Sequence, residues 1–466
     1  MDTDEKQALT VIGGGLAGCE AALQAAASGL KVSLYEMRPG VMTPAHAAGN
    51  LAELVCSNSL GSLLPDRPSG LLMDELRLLK SPLLACAERA ALPAGGALAV
   101  DRESFSAAVQ EAIEKQGNIQ VVREEVTAIP DNLAILATGP LTSPSLVNEI
   151  RKLTGEDNLF FYDAIAPIVS ADSIDRSIAF RASRYDREES GQGDYLNCPF
   201  DREQYERFVA ALLAAERITL HSFEGEVERG VTAGAGRFFE GCLPVEVLAG
   251  RGENSLAYGP MRPIGLRDPR TGKRPYAVIQ LRQDDLSASL YNLVGFQTNL
   301  TFTEQEKVFR MIPGLGKAEF VRFGQMHRNT FIASPKLLDE NLCFRSRPGL
   351  LFAGQITGVE GYLGSVATGA LAGINAARLA EGLEPACPPR TTMLGALCLY
   401  ITGAELESFQ PMKANFGLLP ELEPTGKRIG KREKHALLAG RSLEDFKQWI
   451  RQYQVTGIQD EKTTSE

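Results

Sequence analysis

No apolar run in this 466-residue chain approaches the length of a membrane span, which excludes a bilayer-spanning helix. The N-terminus MDTDEKQ is acidic and polar, and predicts no signal peptide. Histidine is scarce: His46, His221, His327 and His435 stand far apart and make no metal-ligand spacing. The eight cysteines (Cys19, Cys56, Cys86, Cys198, Cys242, Cys343, Cys387, Cys398) contain no C-x-x-C pair. Their scatter suits reduced thiols in a reducing cytoplasm better than a disulfide framework or a zinc site. Internal repeats and low-complexity tracts are missing as well. What remains is an ordinary globular composition, 44% hydrophobic and 23% charged, on a chain long enough for two domains.

Net charge is −10, which in bulk argues against a nucleic-acid partner. Two segments run against that balance. Gly426–Lys434 (GKRIGKREK) carries five basic residues, Lys427, Arg428, Lys431, Arg432 and Lys434, against one acid. Arg262–Lys273 (RPIGLRDPRTGK) adds Arg262, Arg267 and Arg270. Charge alone favours solvated surface for both, yet a local basic patch suffices to hold an RNA backbone.

The segment Thr10–Glu36 reads TVIGGGLAGCEAALQAAASGLKVSLYE: strand, glycine turn, helix, second strand, acid. Gly13, Gly15 and Gly18 satisfy G-x-G-x-x-G, with Gly14, Leu16 and Ala17 between them. Gly13 permits the tight turn, Gly15 lets a pyrophosphate approach the backbone, and Gly18 lets the helix pack closely on the strand. Amide groups at the helix start face the anion, and Glu36 is placed to accept hydrogen bonds from ribose hydroxyls. The chain therefore binds a dinucleotide near its N-terminus.

Met37–Pro68 follows as a long loop rich in Gly, Pro, Ser and Asn, and such loops are usually functional. Helical patterning resumes over Gly70–Ala91, and a further helix starts near Asp101 or Ser104. The buried strand Leu133–Thr138 closes on Gly139, a common second cofactor contact in flavoproteins of this fold. From Ser177 charge, aromatics and turn residues rise, with strand-like pieces at Tyr276–Leu281 and Leu293–Gln297. Leu350–Ala353 then returns as a buried strand, leading into a Gly-rich turn and a small-residue helix. The pattern predicts an α/β fold: a Rossmann-like FAD-binding domain (1–176 and 324–466) interrupted by an inserted α+β domain (177–323) that meets substrate or RNA. The returning part carries the basic C-terminal segment.

EMRP (36–39), TPAH (43–46), LVCSNSLGS (54–62), PAGGALAVDRE (93–103) and ATGPLTS (137–143) form a family pattern. It continues through DYLNCP (194–199), CLPVE (242–246), GPMRPIGL (259–266), VGFQT (294–298), MHRNT (326–330), GVEGYLGSVATG (358–369) and FQPMKANFG (409–417). Together these resemble TrmFO, the folate- and FAD-dependent tRNA (uracil-5-)-methyltransferase family. The opening GGG-x-AGCEAA is shared with the larger MnmG flavoproteins, whose helical C-terminal extension this chain is too short to hold. The resemblance implies a cytoplasmic enzyme that methylates carbon 5 of the T-loop uridine of tRNA. It also implies 5,10-methylenetetrahydrofolate as one-carbon donor, reduced FAD as reductant and NAD(P)H as the source of electrons. The same chemistry on a ribosomal RNA uridine, or a small-molecule FAD oxidoreductase, are the alternatives.

Carbon 5 of uracil becomes nucleophilic once something adds to carbon 6, and a thiolate is the natural agent. By resemblance Cys56 and Cys242 are the two functional cysteines, one nucleophile and one acid/base or flavin partner, with the roles unassigned. Cys19, Cys86, Cys343 and Cys398 read as small core hydrophobes; Cys198 is undecided. Glu360 and Tyr362 follow the returning strand and are placed to reach the flavin, with Tyr362 able to stack on flavin or folate. His46 reads more readily as a structural group than a proton shuttle. Ser57 and Asn58 could orient the Cys56 thiol, while Arg282, His327 and Arg328 are candidate contacts for a folate glutamate or an RNA phosphate.

Overall fold

The structure is a computed structural model describing residues 8–43, 45–155, 159–164, 166–184, 193–218, 243–423 and 429–455. Its first sheet has six strands in the order Cys343–Phe344, Arg347–Phe352, Ala134–Leu136, Ala8–Ile12, Lys31–Tyr35, Ile119–Val122. All pair in parallel except the short edge strand Cys343–Phe344. Parallel strands are covered on both faces, which is why LAILAT carries no polar alternation: Ala134, Ile135 and Leu136 are all fully buried. The opening helix Leu16–Ala27 is almost wholly buried, and Gly29 (φ +92°) turns the chain out of it.

The small-residue helix Tyr362–Ala380 lies directly on that opening helix. A Cβ on Gly369 would sit 2.3 Å from the Ala17 carbonyl oxygen, and one on Gly373 2.4 Å from that of Ala21. The four-residue spacing on both helices puts one glycine per turn at the contact. Backbone therefore meets backbone, and the helix that starts at the cofactor turn is held from behind.

A second six-stranded sheet is wholly antiparallel: Phe180–Ala182, Tyr195–Phe200, Ala277–Gln283, Leu290–Leu293, Ile168–Ser170, Phe320–Arg322. Helices Arg202–Ala214 and Phe302–Phe309 contribute to its aromatic core, which includes Phe200, Phe208, Phe296 and Phe309. The strand read over Leu293–Gln297 ends earlier, at Leu293, because Gly295 (φ +78°) turns the chain against Pro260. The chain leaves and re-enters the first sheet through an antiparallel ribbon, Leu159–Ala164 with Met326–Phe331.

The loop after Glu36 is shorter than the sequence pattern indicates. Ser59–Ser62 pairs with Ala97–Val100 in a small three-stranded sheet, with the register shifted around Gly61 (φ +126°). The helix expected over Gly70–Ala91 is two helices, Pro68–Leu78 and Pro82–Arg89. Lys80 (φ +52°) breaks them, Ser81 caps the second with its Oγ, and Pro82 opens it. Asp101 is the cap of the next helix, Arg102–Lys115, accepting from the Ser104 amide at 2.7 Å.

Glu75 joins three helices. Its carboxyl accepts from the Met393 and Leu394 amides at 2.7 and 2.9 Å, at the start of helix Met393–Gly403. It also accepts from Ser442 Oγ at 2.6 Å, on the C-terminal helix Lys431–Gln452. Burial pushes its pKa up to about 7 against those hydrogen bonds, and Glu20, which accepts from Ser81 and Leu83, is raised to about 7 by burial as well. The folded chain thus holds these protons more tightly than the unfolded one. Stability from both groups is full below the ordinary glutamate value of about 4.3 and is lost as pH rises through 7. Melting temperature is expected to fall between pH 5 and 8 (roughly, from those values) by an amount that Glu75→Gln reduces. An unchanged slope in Glu75→Gln would contradict the assignment.

Candidate functional site: a dinucleotide cleft edged by a cysteine loop

The cleft opens at the carboxyl ends of the parallel strands, where this class of sheet binds ligands. Gly13, Gly15, Leu16, Ala17, Glu36 and Gly139 line it, as does Tyr362 on its far side. Gly13 has φ +110°, and a Cβ there would lie 2.5 Å from the Ala137 carbonyl oxygen. Gly18 stands behind the turn, where a Cβ would be 1.8 Å from the Gly13 carbonyl oxygen. Around the Cβ position of Gly15 there is nothing within 4 Å. Space at Gly15, crowding at Gly13 and Gly18, and a helix start at Leu16 are what a pyrophosphate needs. The residues fit a dinucleotide.

Glu36 does more than wait for a ribose. Its oxygens accept from the Gly14 amide (3.0 Å), the Arg38 amide (3.0 Å) and Arg38 Nε and Nη2 (2.9 and 3.1 Å). Burial opposes its charge, but the Arg38 hydrogen bonds and guanidinium, with the Gly14 amide, hold the carboxyl below its ordinary range. Arg38, itself buried, also pairs with Glu53 at 2.9 Å. The acid therefore fixes the glycine turn while its edge faces the cleft. Glu360 is set back from the cleft wall; it accepts from Gln355 Nε2 at 2.7 Å, and it is Gln355 that reaches the cleft.

Val55 lines the cleft and Cys56 follows it, half-buried. The Cys56 amide donates to the Tyr362 hydroxyl at 2.9 Å, so the cysteine loop is tied to the start of helix Tyr362–Ala380. Three arginines, one from helix Arg102–Lys115 and two from strands of the antiparallel sheet, hold this loop. Arg102 donates to the carbonyls of Leu54 and Cys56 (the latter at 2.9 Å) and pairs with Asp284 at 3.0 Å. Arg282 donates to Ser57 Oγ at 2.6 Å and Asn58 Oδ1 at 2.7 Å. Arg322 donates to the carbonyls of Ala45 (3.3 Å) and Val55 (2.9 Å). Asn58 completes the seam by donating to the carbonyls of Val100 and Gln283. Arg282 is thus occupied inside the protein, where the sequence suggested an outward contact to glutamate or phosphate. Arg102 and Arg322 were missed; each is a lone basic residue in sequence, brought to the loop by tertiary structure, Arg102 through the pairing of Ala97–Val100 with Ser59–Ser62 and Arg322 through the antiparallel sheet.

His46 lines the cleft with Thr43 Oγ1 2.5 Å from its Nδ1. Cys242, Lys427 and Arg428 lie outside the described residues, as do the side chains of His327 and Arg328. Lys431 is exposed; Arg432 pairs with Asp66 at 3.1 Å, and Lys434 lies 3.5 Å from Glu421. The Asp66 pair sets the basic run beside the start of helix Pro68–Leu78. Arg262 and Arg267 are exposed, whereas Arg270 is tied to Asp268 at 2.7 Å. Cys198 is in the core of the second sheet, where burial pushes its thiol up to about 12; Cys343 is raised to about 12 by burial too. Cys19, Cys86 and Cys398 are likewise buried. Among the described residues no group of three His, Cys, Asp or Glu could hold a metal ion, and no helix is long and apolar enough to cross a membrane.

The family model for glucose inhibited division protein A matches residues 8–384. A protein of Desulforudis audaxviator named methylenetetrahydrofolate--tRNA-(uracil-5-)-methyltransferase TrmFO is 55% identical over 94% of this chain and 97% of its own length. This chain belongs to the TrmFO family. Members from Pelotomaculum thermopropionicum and Thermosynechococcus vestitus are also 55% identical, over 94% and 95% of the chain and 97% and 94% of their own lengths. In fold the chain is similar to the GidA structure of Aquifex aeolicus, with TM-score 0.64 at 17% identity, covering 95% of this chain and 75% of that one. Family membership agrees with the resemblance carried by the sequence blocks, including the link to the larger flavoproteins.

Proposed function

We propose that the protein methylates carbon 5 of the T-loop uridine of tRNA, with 5,10-methylenetetrahydrofolate as one-carbon donor, in the cytoplasm. The observation that carries the reading is Cys56, held against Tyr362 on the rim of the dinucleotide cleft, in a chain 55% identical to TrmFO proteins. FAD bound between the Gly13–Gly18 turn and Gly139, and reduced by NAD(P)H, would supply the electrons that turn the transferred methylene into a methyl group. Everything else falls to the chain. Cys56 and Cys242 divide two tasks between them: one adds to carbon 6 of the uracil, and the other handles the carbon-5 proton. Tyr362 lines the cleft and holds the cysteine loop at its edge through the Cys56 amide. A stacked loop uridine must be turned out to reach that rim.

Lys427, Arg428, Lys431, Arg432 and Lys434 are proposed to hold the RNA backbone. Neutralising Lys431, Arg432 and Lys434 together is expected to weaken tRNA binding and reduce the slope of log K against log salt by about two to three, at normal flavin content. Unaltered affinity across a salt series would remove the run from the interface.

Tritium release from carbon-5-labelled tRNA transcript, with methylenetetrahydrofolate and NADPH, tests the whole reading. Release that needs folate and the T-loop uridine is the expected result. No release from a protein whose flavin is bound and reducible would overturn it.

A further inference from the structure

We propose that Arg282 and Arg322 are positioning residues that hold the Cys56 sulfur in its anionic, nucleophilic form by surrounding its loop with buried positive charge. The proposal rests on Cys56 being a working thiol, and goes beyond that reading in naming what makes it one.

The geometry has three parts. First, the guanidiniums come from separate elements: Arg102 from a helix of the first sheet's domain, Arg282 from the central strand Ala277–Gln283, Arg322 from the edge strand Phe320–Arg322. They converge on Ala45 and Leu54–Asn58 by the hydrogen bonds given above, and two bind main-chain carbonyls flanking the thiol. Second, Arg282 is 7% exposed, Arg102 16% and Arg322 half-buried, so water screens them less than it would surface charges. Third, the guanidiniums outnumber their ion-pair partners among the described residues. Asp284 pairs with Arg102, and its field also reaches Arg282 and Arg322. Among the described residues Asp284 is the one carboxylate in an ion pair with these arginines, with Asp101 beside Arg102 engaged by the Ser104 and Leu286 amides, while the hydrogen bonds of Arg282 and Arg322 go to neutral oxygens of the loop.

The groups facing Cys56 are therefore Arg102 with Asp284, Arg282, Arg322 and the Tyr362 hydroxyl, with Tyr195 behind Arg282. Burial and the like charge of Arg102 work against ionisation of both Arg282 and Arg322; an anion at Cys56 favours it in all three arginines. The interaction is mutual: an anionic sulfur that favours the cations is favoured by them. Purely structural loop clamps could be neutral amides. Arg282 makes its two side-chain hydrogen bonds to Ser57 and Asn58, the two residues that follow the thiol, and brings a full charge where a glutamine would bring none.

The test needs neither RNA nor folate, so its failure is separate from failure of the methylation reading. Flavin-loaded full-length protein is alkylated with iodoacetamide across a pH series, and modification of Cys56 is read by peptide mass spectrometry. In Arg282→Gln and in Arg322→Gln, Cys56 alkylation at neutral pH is expected to drop about tenfold, and the alkylation curve to move to higher pH. Arg282→Lys, which keeps the charge and loses the fork, is expected to retain most of the wild-type rate. Flavin absorbance and melting temperature establish that each variant is folded; should Arg282→Gln fail there, Arg322→Gln carries the same test. Wild-type pH profiles in the folded glutamine variants would overturn the proposal. So would an Arg282→Lys curve displaced as far as that of Arg282→Gln, since the loop would then depend on shape and not on charge.

Discussion

Cys56→Ala is expected to keep its flavin and lose tRNA methylation by on the order of a thousandfold or more. Retention of the fold follows from where the loop is anchored. Arg102 and Arg322 grip carbonyl groups, Arg282 grips Ser57 and Asn58, and Tyr362 accepts from the Cys56 amide. None of these uses the sulfur. Cys56 is also half-exposed at the rim, so its truncation opens no sealed cavity. Loss of turnover follows from the chemistry: without a thiol, uracil either is not activated at carbon 6 or does not surrender its carbon-5 proton. Tritium release and the flavin spectrum, measured on the same preparation, separate the two effects. Wild-type release from Cys56→Ala would sink the proposed role.

Gly369→Val is expected to have the largest effect on the fold itself. The new Cβ would stand 2.3 Å from the Ala17 carbonyl oxygen, and the nearest atoms at that point are backbone atoms of the opening helix, which cannot rotate away. Relief requires the two helices to separate, at a cost of about 1–3 kcal/mol or more. The displaced helix is the one whose start forms the pyrophosphate site, so flavin occupancy is expected to fall along with melting temperature. Gly440→Ala is the contrast. Gly440 lies on the exposed face of the C-terminal helix with nothing within 4 Å of its Cβ position, and alanine there is expected to stabilise by up to about 1 kcal/mol. Equal melting temperatures for the two variants would refute the close-contact account.

The dinucleotide turn was legible because its signal is local. Gly13, Gly15, Gly18 and Glu36 sit within one strand–turn–helix–strand unit, and each glycine answers a steric demand that the next few residues create. The same holds for Asp101 as a helix cap. The second sheet's strands were harder to bound, because Gly295 ends one of them by meeting Pro260, distant in sequence. The loop after Glu36 misled for a related reason: SLGS has no strand-like apolar alternation, and becomes a strand only because Ala97–Val100 offers it a partner.

Sequence by itself determined the family, the parallel nucleotide-binding sheet, and Cys56 as a residue in an unusual context. Tertiary structure decided what surrounds Cys56. Arg102 lies on a helix, and Arg282 and Arg322 on two strands of the antiparallel sheet, far apart along the chain, and no periodicity or spacing links them. Hydrogen bonds and local sterics act over a few residues and leave their mark in the order of the amino acids. Charge acts through space, so the environment of the thiol exists only once these elements have packed.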